Sequence, residues 1–299
     1  MNKLIIHACP LCNSTRNKRV MSCTDHYASG ELFDVCSCED CGFTFTQGAP
    51  DEAEIGRYYE TPDYISHSDT KKGAMNFIYH QLRRYMLRRK AHLVMKESHR
   101  KEGKLLDIGT GTGYFAHTMQ QRGWDVEAVE KNPQARAFAQ EHFVMEVKDP
   151  AALSEFAPET FDVITLWHVM EHLEALNETW ELLQQLLNET GTLIVAVPNC
   201  SSYDAEHYGA DWAAYDVPRH LWHFTPATMQ QLASKHGFIM AARHPMPFDA
   251  FYVAMLSEKN LGRSHSFLRG LRVGAMAWLS SLARKERSSS MIYVFRKKR

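Results

Sequence analysis

LLDIGTGTGYF, Leu105 to Phe115, is the stretch that decides the fold. Lys104 to Ile108 is a short apolar run of the kind that makes a buried strand. Asp107 stands near its end, followed by Gly109, Gly111 and Gly113 at alternate positions. Glycines at that spacing let the chain turn sharply out of a strand and let a ligand approach the backbone without meeting a Cβ. Tyr114 to Arg122 has helical character, so the turn opens a helix whose first N–H groups face that ligand. The spacing is G-x-G-x-G. A dinucleotide fingerprint would need glycine at 114, where Tyr114 stands.

The carboxylate of Asp107 would repel a pyrophosphate and attract an ammonium group. S-adenosylmethionine (SAM) carries an amino-acid end and a sulfonium, with no phosphate. With these residues the segment resembles motif I of the class I SAM-dependent methyltransferases. The resemblance implies a Rossmann-like α/β fold with a seven-stranded, mostly parallel sheet whose last strand is antiparallel. It implies SAM as cofactor, held by Asp107, Gly109, Thr110, Gly111 and Gly113. In that family an acid closing the second strand binds the ribose, a place taken here by Glu130 in VEAVEKN. Asp149 stands where the adenine is contacted.

Outward from motif I, strands and helices alternate as in a parallel sheet. Strands are expected at 104–108, 125–130, 143–147, 161–166 and 192–197. Helices are expected at 114–122, 133–142 and 173–187. Beyond an insertion at 199–225, a helix (226–236), two strands (238–244 and 251–256), a helix (261–285) and a last strand (291–295) complete the chain. The expected domains are a zinc-ribbon module over 1–47, a linker and helix capping the active site over 48–100, and the SAM-binding domain over 101–299.

The first 47 residues carry two CxxC pairs, Cys9/Cys12 and Cys38/Cys41. Two such knuckles make a tetrahedral thiolate site suited to a structural Zn²⁺, closed to further ligands. Cys36 could compete for a place by proximity, but the x₂ spacing favours Cys41. The module resembles one found ahead of some bacterial methyltransferases.

FDVITLWHVMEHL, from Phe161, places Trp167 and His168 at the end of a strand, where ligands of open α/β sheets bind. Trp167 is expected at the cofactor and His168 as a base. His168, Glu171 and His172 share one side of a helical turn. The run resembles the ubiquinone-biosynthesis O-methyltransferases, where E-x-x-E-H in this place is associated with a divalent metal. Here His168 replaces the first Glu, and a hard Mg²⁺ prefers oxygen ligands. Glu171 and His172 are expected at the substrate, or else in a hydrogen-bond network at the start of the helix. The insertion holds D-x-P-R-H-L-x-H-F-T, Asp216 to Thr225, which resembles a segment of small-molecule methyltransferases. It nominates His220 and His223 as catalytic, with Trp212, Trp222 and Phe224 packing the loop. Tyr64 and His67 could cap the substrate.

A formal net charge of −1 over 299 residues disfavours nucleic acid as a partner. The reading is therefore a cytoplasmic methyltransferase, monomer or homodimer, acting on a hydroxyl or carbon of a small molecule. Phenol- or quinone-like, lipid-linked and nucleotide-sugar acceptors all fit. The basic run Arg83, Arg84, Arg88, Arg89 and Lys90 keeps an RNA methyltransferase as the alternative, and a non-catalytic SAM-binding partner is a third reading. Residues 263–285 form a basic amphipathic helix compatible with peripheral membrane contact, sheet cover or dimerisation.

Overall fold

The computed structural model describes residues 3–59 and 74–298, with side chains of the helix that starts at Ala74 described from His80 onward. Tyr64 and His67 lie outside the described residues.

Five short strands open the chain: β1 (Lys3–Leu4), β2 (Asn17–Thr24), β3 (Leu32–Cys38), β4 (Thr44–Gln47) and β5 (Ala49–Pro50). β2, β3 and β4 form an antiparallel meander, and β1 pairs with β5 to clip its ends together. Phe33 and Val35 alternate inward along β3, the period of a half-buried strand. The long helix α1 (Ala74–Ser98) follows and lies against the main sheet through Ala91 and Val94.

The α/β part then runs β6 (Lys104–Ile108), α2 (Tyr114–Gln120), β7 (Asp125–Val129), α3 (Pro133–Phe143), β8 (Phe161–Trp167), α4 (Leu176–Leu186) and β9 (Leu187–Pro198). α3 starts where expected because Asn132 caps it, accepting from the backbone of Gln134 and Ala135, with Pro133 at its first position. After β9 come α5 (Tyr203–Tyr208), β10 (Trp222–His223), α6 (Pro226–Lys235), β11 (Phe238–Pro245), α7 (Asp249–Asn260), α8 (Ser266–Ala283) and β12 (Ser290–Lys297).

The main sheet has six strands in the order β11-β12-β9-β8-β6-β7. β7, β6, β8 and β9 are parallel, and β12 runs antiparallel to both its neighbours. The strand expected at 143–147 is reduced to a single parallel bridge between Val129 and Lys148. α3 runs to Phe143 and Val144 ends it in a left-handed conformation. Too few residues remain before Asp149 caps the next turn for a ladder to form. The run at 251–256, expected as a strand, is inside α7. Ala250, Val253, Ala254, Ser257 and Glu258 are its buried positions, a helical spacing that six apolar residues could not distinguish from a strand. Gly270 and Gly274 of α8 admit the backbone of Met255 and Phe251, which brings the two helices close.

Phe267, Leu268, Leu271, Leu279 and Leu282 of α8 face outward. Among the described residues, no helix is long and apolar enough to cross a membrane.

The N-terminal meander is not a separate bead. β10, inside the insertion, pairs antiparallel with β4, Trp222 opposite Phe45 and His223 opposite Thr44. One hydrophobic core contains Cys9, Leu11, Cys38, Phe43 and Phe45 together with Ile108, Leu166, Met170, Trp222 and Phe224. The insertion is thus a middle layer between the cysteine-bearing module and the main sheet.

Candidate active site

The turn after β6 is held by its own strand neighbours. Gly109 and Thr110 donate to the carbonyl of Val129 at 2.8 and 3.1 Å. Gly109 has φ +69°, and a Cβ there would meet Val169 at 2.3 Å, so the turn is packed directly against the loop leaving β8. Gly111 has open space where its Cβ would stand, and its N–H donates to Glu130 Oε2 at 2.8 Å. The other Glu130 oxygen accepts from Asn132 at 2.8 Å, so the carboxylate is fixed beside the turn.

Asp107 is buried and accepts from the Thr165 hydroxyl at 2.6 Å. Burial pushes its pKa up to about 6, against the pull of Thr110, Thr165 and Lys90. A cation placed on this carboxylate would draw the value back down. Asp149 is 59% exposed in its side chain, caps a 3-10 turn through Ala151 and pairs with Arg136 at 3.1 Å. Its oxygens are engaged in local structure. Trp167 packs edge-on to Phe115 at 5.3 Å and lies under Lys90 of α1, 4.4 Å from its ring.

His168 leaves the C-terminal end of β8 with φ +57°, a left-handed conformation rare outside glycine, anchored by its N–H on the Ala196 carbonyl. Its ring lies between two carboxylates. Nδ1 is 3.4 Å from Glu171 and Nε2 is 3.4 Å from Asp249 at the first turn of α7. Burial alone would lower the pKa of this imidazole; Asp249 and Glu171 outweigh it and raise it to about 9. The side chain keeps 34% of its surface exposed, against 1% for Glu171.

Behind His168 the insertion is stitched onto the turn at 170–172. Leu221 donates to the Glu171 carbonyl at 2.8 Å, and the Trp222 indole to the Leu173 carbonyl at 2.6 Å. His172 Nδ1 lies 3.0 Å from the Arg219 carbonyl and 3.1 Å from the Tyr59 hydroxyl. Burial, then the charge of His220, lowers the His172 pKa to about 4. His220 stands edge-on to His172 with ring centroids 4.5 Å apart, its Nδ1 2.9 Å from the Ala214 carbonyl. His223, expected as catalytic beside His220, contacts the N-terminal meander and the insertion. Its Nε2 is 2.9 Å from the Thr46 hydroxyl of β4, its ring packs edge-on to Tyr215, and burial with the nearby His220 pushes its pKa down to about 3. Thr46 also donates its hydroxyl to the His220 carbonyl at 2.7 Å.

Arg219 is 3% exposed and joins both parts of the protein. It reaches Asp216 at 2.6 Å, the buried Asp25 of the N-terminal meander at 3.2 Å, and the Tyr58 carbonyl at 2.8 Å. Arg219, Thr46 and Asp249 were not singled out by the sequence reading. Arg219 sat in plain view beside His220. Asp249 is remote in sequence from His168 and had no local signal.

The four cysteines Cys9, Cys12, Cys38 and Cys41 come together, and Cys36 stays outside the group. Cys9 and Cys41 sulfurs are 3.5 Å apart, as are those of Cys12 and Cys38. A tetrahedron with Zn–S bonds of about 2.3 Å has edges of roughly 3.8 Å, so the cluster is compatible with a structural zinc ion.

Residues 79–242 match the family model described as a methyltransferase domain. An uncharacterized methyltransferase of Alkaliphilus oremlandii is 30% identical over 112 residues, 36% of this chain and 50% of that protein. A ubiquinone biosynthesis O-methyltransferase of Azorhizobium caulinodans is 28% identical over 158 residues, 49% of this chain and 62% of its own length. The chain thus spans about half the length of the curated relatives it matches. A crystal structure from Galdieria sulphuraria, described as a sarcosine dimethylglycine methyltransferase, superposes with a TM-score of 0.50 at 15% identity, covering 70% of this chain and 83% of that one. That likeness concerns the fold. With the family model spanning the glycine turn, Glu130 and His168, this chain belongs to the class I SAM-dependent methyltransferases, and SAM is its cofactor.

Proposed function

We propose that the protein methylates a hydroxyl or an acidic carbon of a small molecule, with a phenol- or quinone-like acceptor favoured over lipid-linked and nucleotide-sugar ones. The observation that carries this reading is His168, held between Glu171 and Asp249 at the cofactor end of β8. The acceptor oxygen attacks the sulfonium methyl in line, the new O–CH₃ bond forms as the S–CH₃ bond breaks, and S-adenosylhomocysteine leaves. The acceptor's proton passes to the neutral form of His168, which the two carboxylates make the minor form below about pH 9, so transfer should rise with pH towards that value. Alignment of the two reactants supplies much of the rate. The O-methyltransferase relatives support oxygen as the acceptor atom.

The test is methyl transfer from labelled SAM into a cell extract split into RNA, protein, lipid and small-molecule fractions. Label is expected in the small-molecule fraction. His168→Gln should reduce transfer by about 10²–10⁴-fold while SAM affinity stays unchanged. Label in RNA would overturn the reading.

A further inference from the structure

Glu171 is fully buried, and neither of its carboxylate oxygens has a hydrogen-bond partner among the described residues. The nearest cation, His168, stands at 3.4 Å without making a hydrogen bond to it. A buried carboxylate whose oxygens accept no hydrogen bond is costly unless further positive charge completes it. Two imidazoles face the same space, and one ligand atom each from Glu171, His172 and His220 lies within 4.8 Å of the others.

The hydrogen bonds of the two rings leave each with one free nitrogen. Nδ1 of His172 and Nδ1 of His220 each sit at hydrogen-bond distance from a backbone carbonyl, Arg219 and Ala214. A carbonyl can only accept, so each Nδ1 carries the proton and each Nε2 keeps its lone pair. A carbonyl accepting from the nitrogen away from the metal is the usual arrangement around metal-binding histidines. His220 Nε2 is 3.8 Å from Asp216, beyond hydrogen-bond reach, and Asp216 is already engaged by Arg219 through both oxygens.

The resemblance to E-x-x-E-H enzymes implies a divalent metal at this turn, but the residues do not fit a hard one. His168 replaces the first carboxylate, and its ring is taken up between Glu171 and Asp249. What remains is one oxygen donor and two nitrogens, and Mg²⁺ calls for oxygen. We infer that Glu171, His172 and His220 form a second metal site, separate from the four cysteines, that takes a borderline cation such as Zn²⁺ or Co²⁺ in preference to Mg²⁺. A His₂-carboxylate set leaves coordination positions open, unlike the closed cysteine cluster. Two ligands come from the turn after β8. The third is delivered by the insertion, whose position depends on the N-terminal module. Metal binding here does not depend on which acceptor is methylated.

The experiment is metal stoichiometry on the full chain. The purified protein is loaded with Zn²⁺ or Co²⁺, freed of excess metal and assayed by elemental analysis. Two equivalents per chain are expected. With Co²⁺, the first should show thiolate-to-cobalt charge transfer and the second only the weaker bands of a nitrogen–oxygen site. Glu171→Gln and His220→Asn should each lose the second equivalent and keep the first with its charge-transfer band, which also reports that the module is folded. One equivalent in the unsubstituted protein would overturn the inference whatever the variants do. So would displacement of the second equivalent by Mg²⁺ at comparable concentration, or retention of two equivalents in both variants.

Discussion

The two sides of the proposed methyl-transfer site are built in opposite ways. The cofactor side is local. Motif I, Glu130 and Asn132 lie within one strand–turn–helix–strand unit, and their bonds run between Gly109, Thr110, Gly111 and residues 129–132. The acceptor side is assembled from afar. His168 meets Asp249, His172 meets Arg219 and Tyr59, and His223 meets Thr46. A local unit keeps its geometry whenever its own sheet forms. An assembled one needs several distant segments in place at once, so it is the side that perturbation should break first.

Removing zinc from the cysteine cluster should separate the two sides most sharply. Cys38→Ser releases the turn that precedes β4, and β4 pairs with β10 at His223 and holds the His220 carbonyl through Thr46. Structural zinc contributes about 10 kcal/mol or more to small metal-folded modules. Methyl transfer is expected to fall about a hundredfold or more, since small misplacements at a site can cost that much. SAM binding, followed by calorimetry, should persist. Equal loss of both would show that the two sides are one cooperative unit.

Arg219→Leu comes next. It leaves Asp25, 1% exposed, and Asp216 without their cation. Breaking a buried ion pair from one side costs about 3–5 kcal/mol. Chemical denaturation should register it, whereas Arg136→Ala, which removes a surface pair with Asp149, should cost less than about 1 kcal/mol. A small Arg219 effect would mean that the module's attachment does not depend on this pair.

On the cofactor side, Glu130→Ala should weaken SAM binding by about ten- to a hundredfold, the worth of a charged hydrogen-bond acceptor. The acceptor KM should not move. A parallel rise in that KM would blur the division between the sides.

The mildest expected effect is of pH. Burial raises the Asp107 pKa to about 6, so the carboxylate is protonated below that pH and ionised above it. Attraction for an ammonium requires the ionised form. SAM affinity should therefore fall as pH drops through about 6, approaching tenfold per unit, and Asp107→Asn should flatten the profile. No fall by pH 5 would remove Asp107 from cofactor binding.

Much of this was legible beforehand. The alternation of elements, the glycine turn, Glu130 and the cysteine pairs are patterns contained within a few tens of residues. Two elements were misread for reasons of length. Phe143 to Val147 is too short once α3 has taken Phe143, and the apolar run at 251–256 has no period long enough to tell helix from strand. The histidines were legible as a group near the site but not by role. His168, His220 and His223 look alike in sequence, yet one lies between carboxylates, one faces another imidazole, and one hydrogen-bonds a threonine of the first module.

The sequence by itself determined the class I fold, the glycine turn and the thiolate cluster, because strand period, glycine spacing and CxxC spacing each encode geometry at short range. Only the tertiary structure decided that the insertion joins the sheet of the N-terminal module, that Asp249 reaches His168, and that Glu171 is left buried without a hydrogen bond near two imidazoles. Those facts depend on which distant surfaces exclude water together, and burial of that kind has no local spacing to read.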